Sequence, residues 1–302
     1  MKIINKYWYH FFTAGIKSKR LIKKIKKRNP EYSIVISDGT GIGDLCFSLS
    51  YLPDFRSRLN KKILLVLSEN LRDIVACFKG YDKLLFFSKK QISDFRYVLN
   101  RHIKWKWYEE NFANNEVIFT YARYYSIVKN KSEKNILDIL LNDIYRLQVH
   151  RYFQYPVVPA RTVEHLQEGK KILFNLSSNS SEISVETFNK ILKFFQDRKY
   201  IMYTNCVKDS DVCLFKTNRL QLSIFQLYSI SDQFDYVVSV RSGILDFIAS
   251  KAKKHIVLYE HNNFLPLYTM KQWPGVDALE MYYDDPDLME KIEEYVEGRN
   301  EN

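Results

Sequence analysis

The chain has 302 residues, 46% of them hydrophobic, with a formal net charge of +11. It is long enough for one large domain or two of roughly 150 residues, and too apolar for wholesale disorder. Four scattered cysteines without a CxxC pair indicate neither a zinc knuckle nor a disulfide framework, which fits a reducing, cytoplasmic setting.

At the N-terminus, MKIINKYWYHFFTAG is too polar to read as a signal peptide. No apolar run in the chain reaches the 18 or so residues of a spanning helix. A soluble or peripheral protein is expected. Residues 17–28, KSKRLIKKIKKR, carry eight Lys or Arg, with Leu21, Ile22 and Ile25 as a narrow apolar stripe. Residues 1–30 therefore read as a basic, aromatic helical segment. Two readings stay open for it: residues 5–28 meet an anionic membrane surface, or the helix is solvated and its aromatics pack on the body. Nucleic acid is not expected, because no recognised module accompanies the charge.

IVISDG (34–39) is a buried strand ending in a glycine-rich turn. A helix follows, with Leu45, Leu49, Leu52 and Phe55 at helical spacing and Pro53 to end or bend it. KKILLVLS (61–68) is a strand, ENLRDIVACFKG a helix, and DKLLFF (82–87) a third strand. Later come a strand in NEVIFT (115–120) and an amphipathic helix over 133–149. The Pro-containing stretch at 156–169 reads as a linker between a first domain, 31–155, and a second, 170–302. The second domain repeats the rhythm. Strands are expected in KKILFNLSS (170–178), KYIMYTN (199–205), DYVVSV and HIVLY (255–259). Helices are expected over 184–196, in SIFQLYSISDQF, in ILDFIAS and in DPDLMEKIEEYVE. The fold class is α/β, with two parallel, helix-covered sheets.

Three loops carry chemistry. Gly39-Thr40-Gly41-Ile42-Gly43-Asp44 follows a strand, but Asp44 stands where a dinucleotide fingerprint needs its third glycine. No Walker-type GK[ST] exists either, so no cofactor is indicated. Asp44 at a helix start suits a general base, with Gly41 and Gly43 shaping the loop; a plain helix cap is the alternative. Arg241-Ser242-Gly243, with Asp246 one turn on, offers a guanidinium, a hydroxyl and amides to a diphosphate, or is a structural turn. The run from Asn175 through Ser177 and Ser178 could donate to phosphate or satisfy its own turn.

VISDGTGIGDLCFSLSYLP resembles the opening of the glycosyltransferase family that contains the ADP-heptose:lipopolysaccharide heptosyltransferases. SIFQLYSISDQFDYVVSVRSGILDFIASKAKKHIVLY resembles that family's nucleotide-binding segment, and KILFNLSSNS its second-domain opening loop. The resemblance implies the GT-B fold, two Rossmann-like domains facing a cleft, and inverting, metal-independent transfer. By position, Asp44 corresponds to the family's proposed base, Ser177 and Ser178 to hydroxyls near the donor phosphates, and Ser242 and Gly243 to the pair holding the diphosphate. Two departures stand out: Arg241 where the family usually has Asp, and Asp246 where it usually has His. The lysine expected beyond the serine loop is absent, and Arg241 replaces its charge.

The expected activity is sugar transfer from a nucleoside diphosphate sugar to a cell-surface glycan or lipid-linked acceptor, at the cytoplasmic face of a bacterial inner membrane. Asp44 would act as base, while Arg241, Ser242, Gly243, Asp246, Ser177 and Ser178 would serve the donor. Competing readings are a non-catalytic nucleotide-sugar or membrane-binding partner on the same fold, and an epimerase-like enzyme. A metal-dependent transferase would need a DxD element. DSD (209–211) and DPD (285–287) match it only literally, and the histidines show no metal spacing. WKWYEE (105–110) is read as packing rather than an acceptor groove.

Overall fold

The structure, a computed structural model, describes residues 2–37, 39–99, 114–121, 133–147, 152–163, 166–176, 185–206, 216–260 and 265–298. The chain divides into two compact units, Met1–Pro156 and Val157–Asn302.

The first unit opens with helix α1 (Lys2–Arg28). Its end is fastened by Asn29, whose amide donates to the Ile25 carbonyl (2.8 Å) and accepts from Lys83 Nζ (2.8 Å). Lys26 pairs with Glu116. Strand β1 (Tyr32–Ile36) leads into α2 (Ile42–Leu49) and α3 (Leu52–Leu59). Pro53 starts α3 instead of merely bending one long helix, as fits a residue tolerated only in a first turn. Then come β2 (Lys62–Ser68), β3 (Lys83–Phe87), and β4 (Val117–Phe119). The four strands are parallel, in the order β3-β2-β1-β4. Ile34, Val35 and Ile36 are all fully buried, so both faces of the sheet are covered.

Two expected helices are shorter than their sequence pattern. After β2 only a 3-10 turn, Glu69–Leu71, and a single turn, α4 (Arg72–Val75), form. The chain leaves the helix because Gly80, at φ +100°, must close against residues 52 and 53, where a Cβ would lie 2.8 Å from Pro53 N. Within 133–149, α-helical geometry covers Ile136–Asp138 and passes into a wider π-helical stretch, Ile139–Ile144. Helix α5 (Lys89–Phe95), against which α1 packs, was not foreseen.

In the second unit, β5 (Lys171–Asn175), β6 (Ile201–Asn205), β7 (Asn218–Leu220), β8 (Tyr236–Val240), β9 (Lys254–Tyr259) and β10 (Asp277–Tyr282) form one parallel sheet, ordered β10-β9-β8-β5-β6-β7. Strands β7 and β10 carry too few apolar residues at period two to be recognised from sequence. One face packs Ile172, Phe174, Val238, Ile256 and Leu258 against Phe188, Ile191 and Phe195 of the helix Val185–Asp197, and Leu288 and Ile292 of the helix Leu288–Glu297. The alternating residues Leu173, Val237 and Val257 are equally buried, so the other face is covered as well.

Cys46 and Cys77 are free and buried. Cys206 is disulfide-bonded. The lack of a CxxC spacing did not suggest this bond, and with it the cysteines no longer argue for a reducing compartment.

Candidate active site

Both sheets start with a central strand whose successors go first to one side and then to the other. In the first unit β2 and β3 lie on one side of β1 and β4 on the other. In the second, β6 and β7 lie on one side of β5, and β8 to β10 on the other. Such a reversal opens a crevice at the carboxyl ends of the two diverging strands, where open α/β sheets take their ligands. The loops singled out in the sequence leave these strands: Gly39–Asp44 follows β1, Asn175 ends β5, and Arg241–Gly243 follows β8.

In the first loop the glycines are explained by Asp44. A Cβ on Gly39 would lie 2.1 Å from Asp44 Cβ and 2.7 Å from its Oδ2, and one on Gly41 would lie 3.3 Å from Oδ2. The backbone therefore wraps the carboxylate at a range that only glycine allows at position 39. Asp44 is the third residue of α2, and its Oδ2 accepts from the Gly41 amide at 3.3 Å. The cap reading is thus realised, though weakly, because Gly41 has no side chain to return the bond. The side chain remains solvent-exposed, as a base must be.

Beneath the loop lies a buried polar hub that the sequence did not reveal. Ser48 Oγ contacts Thr120 Oγ1 at 2.7 Å and the Asp44 carbonyl at 2.7 Å. Ser37 reaches Ser48 at 3.4 Å, and the Tyr145 hydroxyl donates to the Ser48 carbonyl. Burial pushes the Tyr145 phenol well above its ordinary pKa, so it stays a neutral donor. Asn70 Nδ2 donates to the Thr40 carbonyl at 3.0 Å and holds the loop from the side of β2.

In the second unit, Asn175 and Ser239 are buried at the crevice. Asn175 Nδ2 donates to Ser239 Oγ (2.9 Å) and Ser242 Oγ (3.4 Å), and Ser239 Oγ donates to the Asn175 carbonyl (2.8 Å). This ties the β5 loop to the β8 turn. Ser242 caps the short helix Gly243–Ile248 with extended backbone, and its side chain makes no cap bond. Ser177 and Ser178 lie outside the described residues, as do DSD (209–211) and WKWYEE (105–110).

Arg241 is engaged within the protein. Its Nη1 donates to Asp246 Oδ2 (3.0 Å) and the Ser242 carbonyl (2.8 Å), Nη2 to Asp246 Oδ1 (2.6 Å), and Nε to the Tyr268 carbonyl (2.6 Å). Burial alone would favour the neutral guanidine, but the Asp246 carboxylate outweighs it and raises the pKa further. Asp246 also accepts from Trp273 Nε1 at 2.8 Å. The contacts of Asp246 are those of a residue that orients Arg241. Glu280 completes the arrangement, accepting from Tyr259 (2.5 Å), Thr269 (2.5 Å) and the Met270 amide (2.6 Å). Trp273, Tyr268 and Glu280 had no sequence signal, because they come from the β9–β10 connection and β10, while Tyr259 ends the expected strand β9.

DPD (285–287) is a helix start: Asp285 accepts from the Asp287 amide (3.0 Å) and from Lys291 Nζ (2.7 Å). Among the described residues, no three His, Cys, Asp or Glu side chains converge as a metal site would require.

Among solved structures, the chain is similar to a glycosyl transferase family 9 protein from Veillonella parvula DSM 2008, with 14% identity, 89% of each chain covered and a TM-score of 0.55. It is similar to the E. coli heptosyltransferase WaaC with ADP, at 10% identity, 88% of this chain, 99% of that chain and a TM-score of 0.54. For E. coli ADP-heptose lps heptosyltransferase II the figures are 11% identity, 89% and 99% coverage, and a TM-score of 0.51. No protein-family model and no curated protein matches the sequence. The class the fold defines is GT-B, two Rossmann-like α/β units in one chain. More narrowly, the fold is similar to that of a family 9 glycosyl transferase and of two E. coli heptosyltransferases, at 10–14% sequence identity.

Proposed function

We propose that this chain is a glycosyltransferase of the heptosyltransferase type, moving a sugar from a nucleoside diphosphate donor to a cell-surface glycan or lipid-linked saccharide. The observation that supports it most directly is the coincidence of the glycine-wrapped Asp44 with the crevice of the first sheet. Asp44 takes the proton of an acceptor hydroxyl while that oxygen bonds to the anomeric carbon. The bond from this carbon to the donor diphosphate breaks, and the configuration inverts. Ser242, the Gly243 amide, Ser177 and Ser178 carry the charge of the departing diphosphate. Arg241 is a positioning residue in this scheme: locked to Asp246, it fixes the turn that presents Ser242 and lends positive potential. No metal is assigned a step. The enzyme works at the cytoplasmic face of the inner membrane.

The test is calorimetric titration with ADP, UDP, GDP, CDP and dTDP, with and without Mg²⁺, alongside product assays. We expect one diphosphate to bind without metal, and Asp44→Asn to retain that binding while losing turnover by at least about 100-fold. Retained turnover in Asp44→Asn removes the base assignment. Binding of none removes the donor site.

A second reading draws on the exposure of Asp44 and its bond to Gly41, which a plain cap would also show. In that reading the chain is a non-catalytic partner that binds nucleotide sugar. Nucleotide binding with no turnover in the wild type selects it, whereas donor turnover without an acceptor would select an epimerase-like enzyme.

A further inference from the structure

Around helix α1 the described side chains sort by angle. Ala14, Ser18, Ile22 and Ile25 are buried, and at 100° per residue they fall within an arc of about 80°. Ile16, Lys17, Arg20, Lys23, Lys24, Lys27 and Arg28 are exposed, and occupy an opposite arc of about 140°. The apolar stripe is therefore already taken up by packing on the first unit, chiefly on α5 and the turn Arg96–Leu99. It is not available to insert into a bilayer. What faces outward is a ridge of six cations extending about 16 Å at 1.5 Å per residue, and no acidic residue precedes Glu31. Lys26, at the flank of the arc, is drawn off to Glu116.

We propose that this ridge docks the protein on an anionic lipid surface through headgroup electrostatics, with the helix lying along the surface and not inserting. Six like charges on one face repel one another, and an opposite planar field relieves that repulsion without demanding fixed geometry. Four of the six are lysines, flexible point charges suited to a fluid array of headgroups more than to a defined pocket. Ile16 is 47% exposed at the N-terminal end of the ridge, and in sequence it adjoins the aromatic run from Tyr7 to Phe12. An exposed apolar residue beside a cationic ridge favours a headgroup layer over a nucleic-acid backbone. The proposal stands on the helix alone and does not depend on the transferase reading.

The experiment is co-sedimentation of the full chain with vesicles of phosphatidylcholine, or of phosphatidylcholine with phosphatidylglycerol, at low salt and at about 0.5 M, where the screening length is roughly 4 Å. The same is done for Arg20→Gln/Lys23→Gln/Lys24→Gln/Lys27→Gln, exposed positions where glutamine keeps helix propensity. Each surface cation multiplies partitioning by about five, so the fourfold variant should bind some 600-fold more weakly. Binding that requires phosphatidylglycerol, disappears in salt and falls in the variant supports the proposal. Equal binding to neutral vesicles, no loss in the variant, no binding at low salt, or displacement of the vesicles by a nucleic-acid duplex at lower concentration overturns it.

Discussion

Removing the Asp246 carboxylate should unbalance the second unit more than any other single change in the candidate site. The Arg241 and Asp246 side chains are 9% and 2% exposed, so neither has water to fall back on. Asp246→Ala leaves two guanidinium donors and the Trp273 indole N–H without their acceptor. Breaking a buried pair from one side costs about 3–5 kcal/mol, because the remaining charge stays desolvated. A loss of about 4 kcal/mol would lower the unfolding midpoint of a unit of this size by roughly 8–16 °C. The companion variant is Arg241→Met/Asp246→Leu, which replaces both charges with apolar groups. It should recover most of the loss, since such exchanges are often neutral.

Differential scanning calorimetry of wild type, Arg241→Met, Asp246→Leu and the double variant closes the cycle, with Asp246→Ala measured alongside. The double variant also separates the roles of Arg241 in ligand binding. If Arg241 positions the turn, the double variant should regain diphosphate affinity in proportion to its regained stability. If Arg241 instead bonds the phosphates, affinity should stay as low as in Arg241→Met. A shift below about 2 °C in Asp246→Ala would refute the assignment of this pair as the brace of the turn.

Two further outcomes follow from the same geometry. Gly39→Ala forces its Cβ onto Asp44, whereas Gly41→Ala asks only a few tenths of an ångström of the carboxylate. Steady-state kinetics should show turnover falling about 100-fold in the first, as for a misplaced reacting group of about 1 Å, much less in the second, and diphosphate affinity unchanged in both. His255, fully buried with neither ring nitrogen bonded, has its pKa lowered to about 4 by burial, with Asp277 opposing and Arg241 adding. Below pH ~6.5 the unfolded chain binds a proton that the folded one refuses, so stability falls as pH drops toward 4, by about 3 kcal/mol in all. His255→Leu should flatten that slope in urea unfolding without loss at neutral pH; an unchanged slope would assign the pH dependence to other groups.

The parallel α/β plan was legible because buried strands such as IVI, ILLVL and VVSV announce themselves as apolar runs bounded by turns. The ends of helices were less so. The helix expected after β2 stops early because Gly80 must reach residues 52 and 53, a contact between segments nearly thirty positions apart. Strand β10, DALEMY, sets Ala278 and Glu280 on one face and Asp277 and Leu279 on the other, and the partners of Glu280, Tyr259 and Thr269, come from elsewhere in the chain. At the site, Gly39 to Asp44 could be read because the chemistry is local. The hub of Ser37, Ser48, Thr120 and Tyr145 could not, since three separate segments build it.

The two departures from the heptosyltransferase pattern, read separately in the sequence, are one feature in the structure. Arg241 and Asp246, the two positions where the sequence departs from the pattern it resembles, bond to each other in a fork-to-fork pair. An acid at 241 beside Asp246 would set like charges together in a buried place. In this chain the base of the contact stands at position 241 and the acid at 246. On this reasoning Arg241→Asp and Asp246→His should each destabilise the second unit by about 3 kcal/mol or more, whereas Arg241→Asp/Asp246→His should be closer to wild type than either. Calorimetry on the four proteins measures the coupling directly. Additive losses would mean that the bond between the two positions does not determine which residues can stand there.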